Sequence, residues 1–251
     1  MNSRIAMIVP CYNEENRISV DYWWELLEIN EEISWIFVDD GSGDQTSLLL
    51  KKFCTDDSRS LIRLERNVGK GNAILQGYKF ALQKMPNVEF CGFIDCDGAF
   101  ATEDVKNFST TILNKQTDFE VLISSRVALS GRDIQRKSHR HYLGRIIATL
   151  LTYKWQNAPY DTQSGLKVFR NTESFRNAIL SDFSTKWFSD IELISRIGVN
   201  NGGRIEIWEE PLMSWSDVDG SKLKFRSFPS IVRQIYIARR SVRALIKAGR
   251  I

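Results

Sequence analysis

The chain has 251 residues, 43% apolar and 11% aromatic, ample for the core of one large α/β domain or two small ones, which excludes disorder as the default. Its 34 basic and 31 acidic residues leave a net charge of +3, too near balance to imply nucleic acid as a partner. No stretch approaches the roughly 18 consecutive apolar residues of a membrane span, and the apolar start at 5–9 stops at Pro10 instead of forming a signal pattern, so a cytoplasmic location is expected.

Apolar, β-branched runs alternate with helical patterns. Residues 5–9 form the first strand-like run, with a helix expected from about Glu14. Residues 35–38 precede a helix from about Gln45, 61–64 precede one opening at Gly69, and 90–94 precede one from about Thr102. Continuous apolar strands separated by helices predict a mostly parallel sheet covered on both faces. In such sheets ligands bind beyond the strands' C-terminal ends, where Pro10, Asp39, Asn67 and Asp95 all fall. Past Asp104 the rhythm loosens. A strand at 121–125 stops before Arg126, a helix over 139–155 carries Leu143, Ile146, Ile147, Leu150 and Leu151, and a turn-rich stretch covers 161–165. A strand at 166–169, a helix around 188–197 and a strand at 204–208 follow. No repeat or linker separates the halves, so one continuous sheet is expected over 1–220.

Two of the strand ends carry paired acids: Asp39-Asp40-Gly41-Ser42 and Asp95-Cys96-Asp97. In an extended chain residues i and i+2 point to the same side with Cα atoms about 6.6 Å apart, so Asp95 and Asp97 can face one ion together. Hard cations such as Mg²⁺ or Mn²⁺ take carboxylate oxygens, few from protein and the rest from water or phosphate. A D-x-D alone reads as a turn. Gly69-Lys70-Gly71 shifts that balance, because glycine admits backbone close to a ligand and a helix N-terminus with a lysine favours an anion. The loop is neither a Walker A motif nor a G-x-G-x-x-G fingerprint.

The four cysteines (Cys11, Cys54, Cys91, Cys96) form no C-x-x-C pair and have no histidine at zinc spacing, which argues against a disulfide frame or zinc site. Cys96 is read as a small inward-facing residue, and His139 and His141 as surface residues. Residues 220–251 hold nine basic side chains and no acidic one, so this tail carries +9 and the rest −6. On a helical wheel Ile231, Ile235, Ala238, Val242, Leu245 and Ile246 gather within about 100°, apart from Arg233, Arg240, Arg243 and Lys247. Such a helix either lies on an anionic bilayer surface, gaining about 1 kcal/mol per cation, or packs its stripe on the domain with a solvated basic face. The helix over 139–155, with Arg136, Lys137, Arg140 and Arg145 about its start, offers a second basic contact.

Residues 8–15, the Asp39-Asp40-Gly41-Ser42 turn, the 66–72 loop and Asp95-Cys96-Asp97 together resemble the N-terminal half of family 2 inverting glycosyltransferases with the GT-A fold, a Rossmann-like α/β fold. The second half, with Asp161-Thr162-Gln163-Ser164-Gly165-Leu166-Lys167, the Asp190 segment and Gly220-Ser221-Lys222-Leu223, is similar to the polyprenyl-phosphate branch that contains the dolichyl-phosphate β-glucosyltransferases. The resemblance implies a nucleotide-binding half over about 1–104, an acceptor half over about 105–220 and a basic amphipathic segment over 221–251. It implies a nucleotide-sugar donor, UDP before GDP, held by Pro10, Tyr12, Glu14, Asp39 or Asp40 and Lys70, with Asp95 and Asp97 on Mg²⁺ or Mn²⁺. Gln163 and Lys167 fall with the donor site, and Arg126, Lys167, Arg204 and Lys222 become candidates for stabilising phosphates. Asp190 aligns with the carboxylate that serves as base in hydroxyl-using relatives; its other role is to cap the helix that follows.

The expected acceptor is a polyprenyl phosphate reached from the cytoplasmic membrane face through the basic C-terminal helix. A saccharide hydroxyl with Asp190 as base is the first alternative, and a sugar-nucleotide-binding protein without turnover the second. A nucleotidyltransferase should begin with a glycine-rich loop, and this chain has Pro10-Cys11-Tyr12-Asn13 there. Neither the sugar nor the oligomeric state is legible.

Overall fold

The computed structural model describes residues 3–114, 119–216 and 228–249. In chain order the elements are β1 (Ile5–Cys11), α1 (Val20–Ile29), β2 (Ile33–Asp39), α2 (Thr46–Phe53), β3 (Arg59–Arg63), α3 (Lys70–Lys84), β4 (Phe90–Ile94), α4 (Thr102–Asn114) and β5 (Val121–Ser125). There follow β6 (Asp133–Gln135), α5 (Ser138–Thr152), β7 (Leu166–Arg170), α6 (Glu173–Ala178), α7 (Ser189–Asn200), β8 (Ile207–Pro211), β9 (Ser214–Ser216) and α8 (Phe228–Ala248).

Seven strands form one sheet in the order β3-β2-β1-β4-β7-β5-β8, so both halves of the chain share it. Every pairing is parallel except those of β7, which runs antiparallel to β4 and β5. The sheet grows from β1 outward to β3, then restarts on the other side at β4. The crevice at that reversal, beyond the ends of β1 and β4, is where an open α/β sheet binds ligands.

The central strands are buried on both faces, which is why the runs 5–9, 35–38 and 90–94 within β1, β2 and β4 are continuously apolar. One side of the sheet packs on α3, α7 and α8 through Ile8, Leu75, Tyr78, Phe169 and Ile194. The other side packs on α1, α2 and α4 around an aromatic cluster in which Trp23 meets Trp35 and Phe37 edge-on.

Two expectations need correction, two features were not foreseen and one open reading is decided. The first helix starts at Val20, not Glu14, because the backbone of 13–15 is bonded to the loop after β2 and the helix waits for the cap of Ser19, whose hydroxyl accepts from Tyr22 N. The last strand of the sheet is 207–211, set by its register on β5. A small parallel pair, β6 with β9, and the short α6 were not foreseen; three residues per strand carry no periodic signal. Finally, the apolar stripe of α8 is already covered: Ala238, Val242 and Leu245 are buried, and Ile231, Ile235 and Ile246 pack on the same core. Of the two readings of that helix, packing on the domain uses the stripe. No helix among the described residues is long and apolar enough to cross a membrane.

Candidate active site

Three loops at the C-terminal ends of β1, β2 and β3 are stitched together by their own motif residues. Cys11 lies opposite Asp39 in the sheet, and Asp40 N donates to Cys11 O at 2.8 Å. Asn13 turns into the left-handed region (φ 50°), where its amide donates to Ser42 Oγ at 3.0 Å and its side chain accepts from Gly43 N at 3.0 Å. Glu14 N donates to Thr46 Oγ1 at 2.8 Å. Gly41 has φ 70°, and a side chain there would overlap the backbone of Arg66 and Asn67, so glycine lets the third loop pass. Asp40 then accepts from Val68 N at 2.7 Å and Gly69 N at 2.9 Å, fixing the start of α3. Burial raises its pKa, with the Asp39 charge adding to the rise against those two amides.

Pro10, Tyr12, Glu14, Asp40, Lys70, Asp95 and Asp97 line one cleft of about 480 Å³. Sequence reasoning missed Arg17, Lys186 and Trp187, which line it too. Lys186 and Trp187 reach it from the loop before α7, where their amides donate to Gln234 Oε1 of α8 at 2.8 and 2.9 Å. No local motif marks them. Arg17 had a signal in its i,i+3 spacing from Glu14, whose carboxylate accepts from Arg17 Nη1 at 2.9 Å.

Asp95 follows β4, and its amide donates to Gly165 O at 3.0 Å. A Cβ at Gly165 would overlap the Asp95 carboxylate, so the glycine of the 161–165 turn makes room for it. Trp23 Nε1 donates to Cys96 O at 3.1 Å, which holds the acidic turn on α1. The Asp95 carboxylate is ion-paired with Lys70 at the first position of α3. Asp97 lies 3.6 Å from Arg17 Nη2. Burial first, then the Asp95 charge, raise the Asp97 pKa against Arg17, Lys70 and the Ala99 amide. Burial opposes the Lys70 charge, but Asp95, Asp190 and Asp97 together outweigh it and raise its pKa.

The donor set suits Mg²⁺ or Mn²⁺: two neighbouring carboxylates in a cleft, with the pKa of Asp97 raised by burial and then by the Asp95 charge, are relieved by a cation. Among the described residues no group of three or more His, Cys, Asp or Glu forms a closed metal cage. Such a pair leaves most of the ion's coordination to phosphate and water. Three of the four thiols are poor nucleophiles: burial pushes Cys91 up to about 12 and Cys54 to about 11, and raises Cys11 well above the ordinary thiol range.

Other predicted residues fall elsewhere. Asp39 is fully buried beneath the cleft, accepting from Ser42 N at 2.9 Å, with Arg63 Nε 3.7 Å from its second oxygen. Arg126 is paired with Asp161 through Nε and Nη2, each at 2.7 Å, and lies over the Trp215 ring. Burial works against the Asp161 charge, but Arg126 outweighs it and Asp161 is pushed down to about 2. Gln163 donates to the neighbouring Thr162 O at 3.2 Å and does not line the cleft. Lys167 is fully buried, bonded to Asp190 and to the carbonyls of Thr162 and Ser164, so the phosphate-binding role expected of it is filled by internal partners. Arg204 is exposed ahead of the edge strand β8 and does not line the cleft at β1 and β4. Lys222 lies outside the described residues.

A family model, Glycosyl transferase family 2, matches residues 6–175, well over half of the chain. The chain belongs to that family. As a glycosyltransferase it is 30% identical over 250 residues to dolichyl-phosphate beta-glucosyltransferase of Saccharomyces cerevisiae, covering 87% of this chain and 69% of that protein. The Drosophila melanogaster protein of the same name is 30% identical, covering 98% of this chain and 77% of its own length. Glucosyl-3-phosphoglycerate synthase from Mycobacterium tuberculosis, solved with Mn²⁺, uridine diphosphate and glucosyl-3-phosphoglycerate, superposes with a TM-score of 0.68. It is 16% identical, and the match covers 96% of this chain and 80% of that one. At that identity the likeness establishes the fold, the GT-A fold of those glycosyltransferases.

Proposed function

We propose that this glycosyltransferase moves a hexose, glucose before others, from a UDP-sugar to a polyprenyl phosphate with inversion, assisted by Mg²⁺ or Mn²⁺. The observation that carries the reading is the meeting of Asp95, Asp97, Lys70 and Arg17 in one cleft at the sheet's reversal point. The acceptor and the sugar are supported by the likeness to the yeast and fly dolichyl-phosphate beta-glucosyltransferases, and UDP with a divalent ion by the Mn²⁺ and uridine diphosphate bound in the structural neighbour.

Asp95 and Asp97 are the residues that would hold the ion, which supplies Lewis-acid neutralisation of the departing diphosphate. Lys70, on a helix N-terminus aimed at the cleft, adds a fixed cation for the same charge. Arg17 is positioned by Glu14 beside Asp97 and adds a second. Tyr12 and Pro10 line the cleft on the β1 side and form a wall suited to a nucleoside. A phosphate acceptor is anionic at pH 7 and attacks without a general base. This matches Asp190, whose Oδ2 is paired with Lys167 and whose Oδ1 accepts from Ile191 N at 2.9 Å. A saccharide-hydroxyl acceptor would need that carboxylate released from both partners.

The test is a panel of UDP- and GDP-sugars offered with a short polyprenyl phosphate, with and without EDTA, the product read by mass. The expected product is hexosyl polyprenyl phosphate from a UDP-sugar, abolished by EDTA. Transfer to saccharide hydroxyls alone, EDTA-resistant turnover, or binding without turnover would each overturn the proposal.

A further inference from the structure

With its own stripe packed inward, α8 exposes Val232 and Tyr236 as its large apolar side chains, whereas its neighbour α5 presents a longer apolar row. Leu143, Ile146 and Leu150 are 56%, 58% and 52% exposed, and Tyr142 and Tyr153 more so. At 100° per residue Tyr142, Leu143, Ile146 and Leu150 fall within one arc of about 100°, while Ala148 and Leu151 on the other side enter the core. Isolated exposed apolar side chains are ordinary, but a contiguous ridge of this kind marks an interaction surface.

The charge around the ridge identifies the partner. Residues 134–160 contain no Asp or Glu, and neither does α8. Arg239 of α8 donates to Leu151 O at 3.1 Å and to Tyr153 O, which joins the two helices at the end of α5. Beside that joint Lys154, Arg243 and Lys247 surround a hollow of about 310 Å³. An apolar ridge bordered by cations, on a helix with no carboxylate of its own, complements a surface with an acyl interior and anionic headgroups. A soluble protein partner of ordinary composition would bring charges of both signs.

We propose that the α5 ridge inserts into the headgroup region of an anionic bilayer, with Lys154, Arg243 and Lys247 binding lipid phosphates beside it. This would seat the enzyme on the lipid through α5, with α8 as a basic buttress, and it stands apart from the reading of the transfer reaction.

The test is co-sedimentation of the full chain with phosphatidylcholine vesicles, with and without phosphatidylglycerol. The native chain should bind only the anionic vesicles. The triple variant Leu143→Ser, Ile146→Ser, Leu150→Ser should bind about tenfold more weakly or worse. Leu180→Ser, at a site 74% exposed outside both helices, should bind as the native chain does. Transfer to a short, water-soluble polyprenyl phosphate should be equal in the triple variant, which keeps this test separate from that of the reaction. Unchanged sedimentation of the triple variant would overturn the proposal. So would light scattering that finds a dimer of the native chain which the variant dissociates, since the ridge would then be a protein interface.

Discussion

Lys167, with no exposed side chain, donates to the carboxylate of Asp190 in the first turn of α7. Lys167 lies opposite Phe93 in the sheet, two residues before Asp95, and the Thr162 and Ser164 carbonyls complete the ammonium's partners. Removing one member of a buried pair leaves the other charge unmatched, at about 3 kcal/mol. Lys167→Met and Asp190→Asn should each lower urea-unfolding stability by about that much, and the double variant by less than the sum. Folded Asp190→Asn should keep turnover on a phosphate acceptor within about tenfold of the native enzyme. A loss of about a thousandfold without loss of fold would make Asp190 the base.

Asp97 is held at a cost that the ion relieves. Its pKa is raised in the folded chain, so its contribution favours folding at low pH and is lost as pH rises through that folded value. Metal-free Asp97→Asn should therefore be at least as stable as the native chain at pH 7, with Mn²⁺ raising the native melting temperature more than the variant's. Its kcat/KM should fall by about a hundredfold or more.

Asp161 behaves in the opposite sense. Its pKa is lowered to about 2, so its contribution is present above the ordinary carboxylate value and is lost as pH falls towards about 2. Asp161→Asn should cost about 2 kcal/mol or more at pH 7. The gap to the native chain, followed by urea unfolding, should close between about pH 4 and pH 2.

Gly165→Ala tests the space behind the acidic turn. The new methyl overlaps the Asp95 carboxylate, so turnover should fall at least about tenfold, with weaker Mn²⁺ binding. A variant as active as the native enzyme would show that Asp95 need not hold its place.

The first half of the sheet was legible because its central strands β1, β2 and β4 are covered on both sides. The 90–94 run coincides with β4, and the acids that follow it had to land at the sheet edge. Asp40 was legible as a site residue, but its bonds to the Val68 and Gly69 amides were not, since they depend on how three loops meet. Lys167, a phosphate candidate by resemblance, has its ammonium engaged by partners inside the fold. Flanked by Leu166, Val168 and Phe169, it sits in an apolar strand, and a lysine there calls for a buried partner more than for a ligand. Lys186 and Trp187 left no trace in the sequence because their place depends on Gln234, some fifty residues on and in another helix. The stripe of α8 was seen correctly as amphipathic, yet periodicity alone does not say which apolar surface it meets, and α5 and α7 were already there.

The most direct measurement is calorimetric affinity for UDP, with and without Mn²⁺, in the native chain and in Asp95→Asn/Asp97→Asn. The ion should tighten UDP by about tenfold or more in the native chain and leave the double variant unmoved. Equal affinities with and without Mn²⁺ in the native chain would contradict a cleft in which two strand-end carboxylates share a cation with a diphosphate.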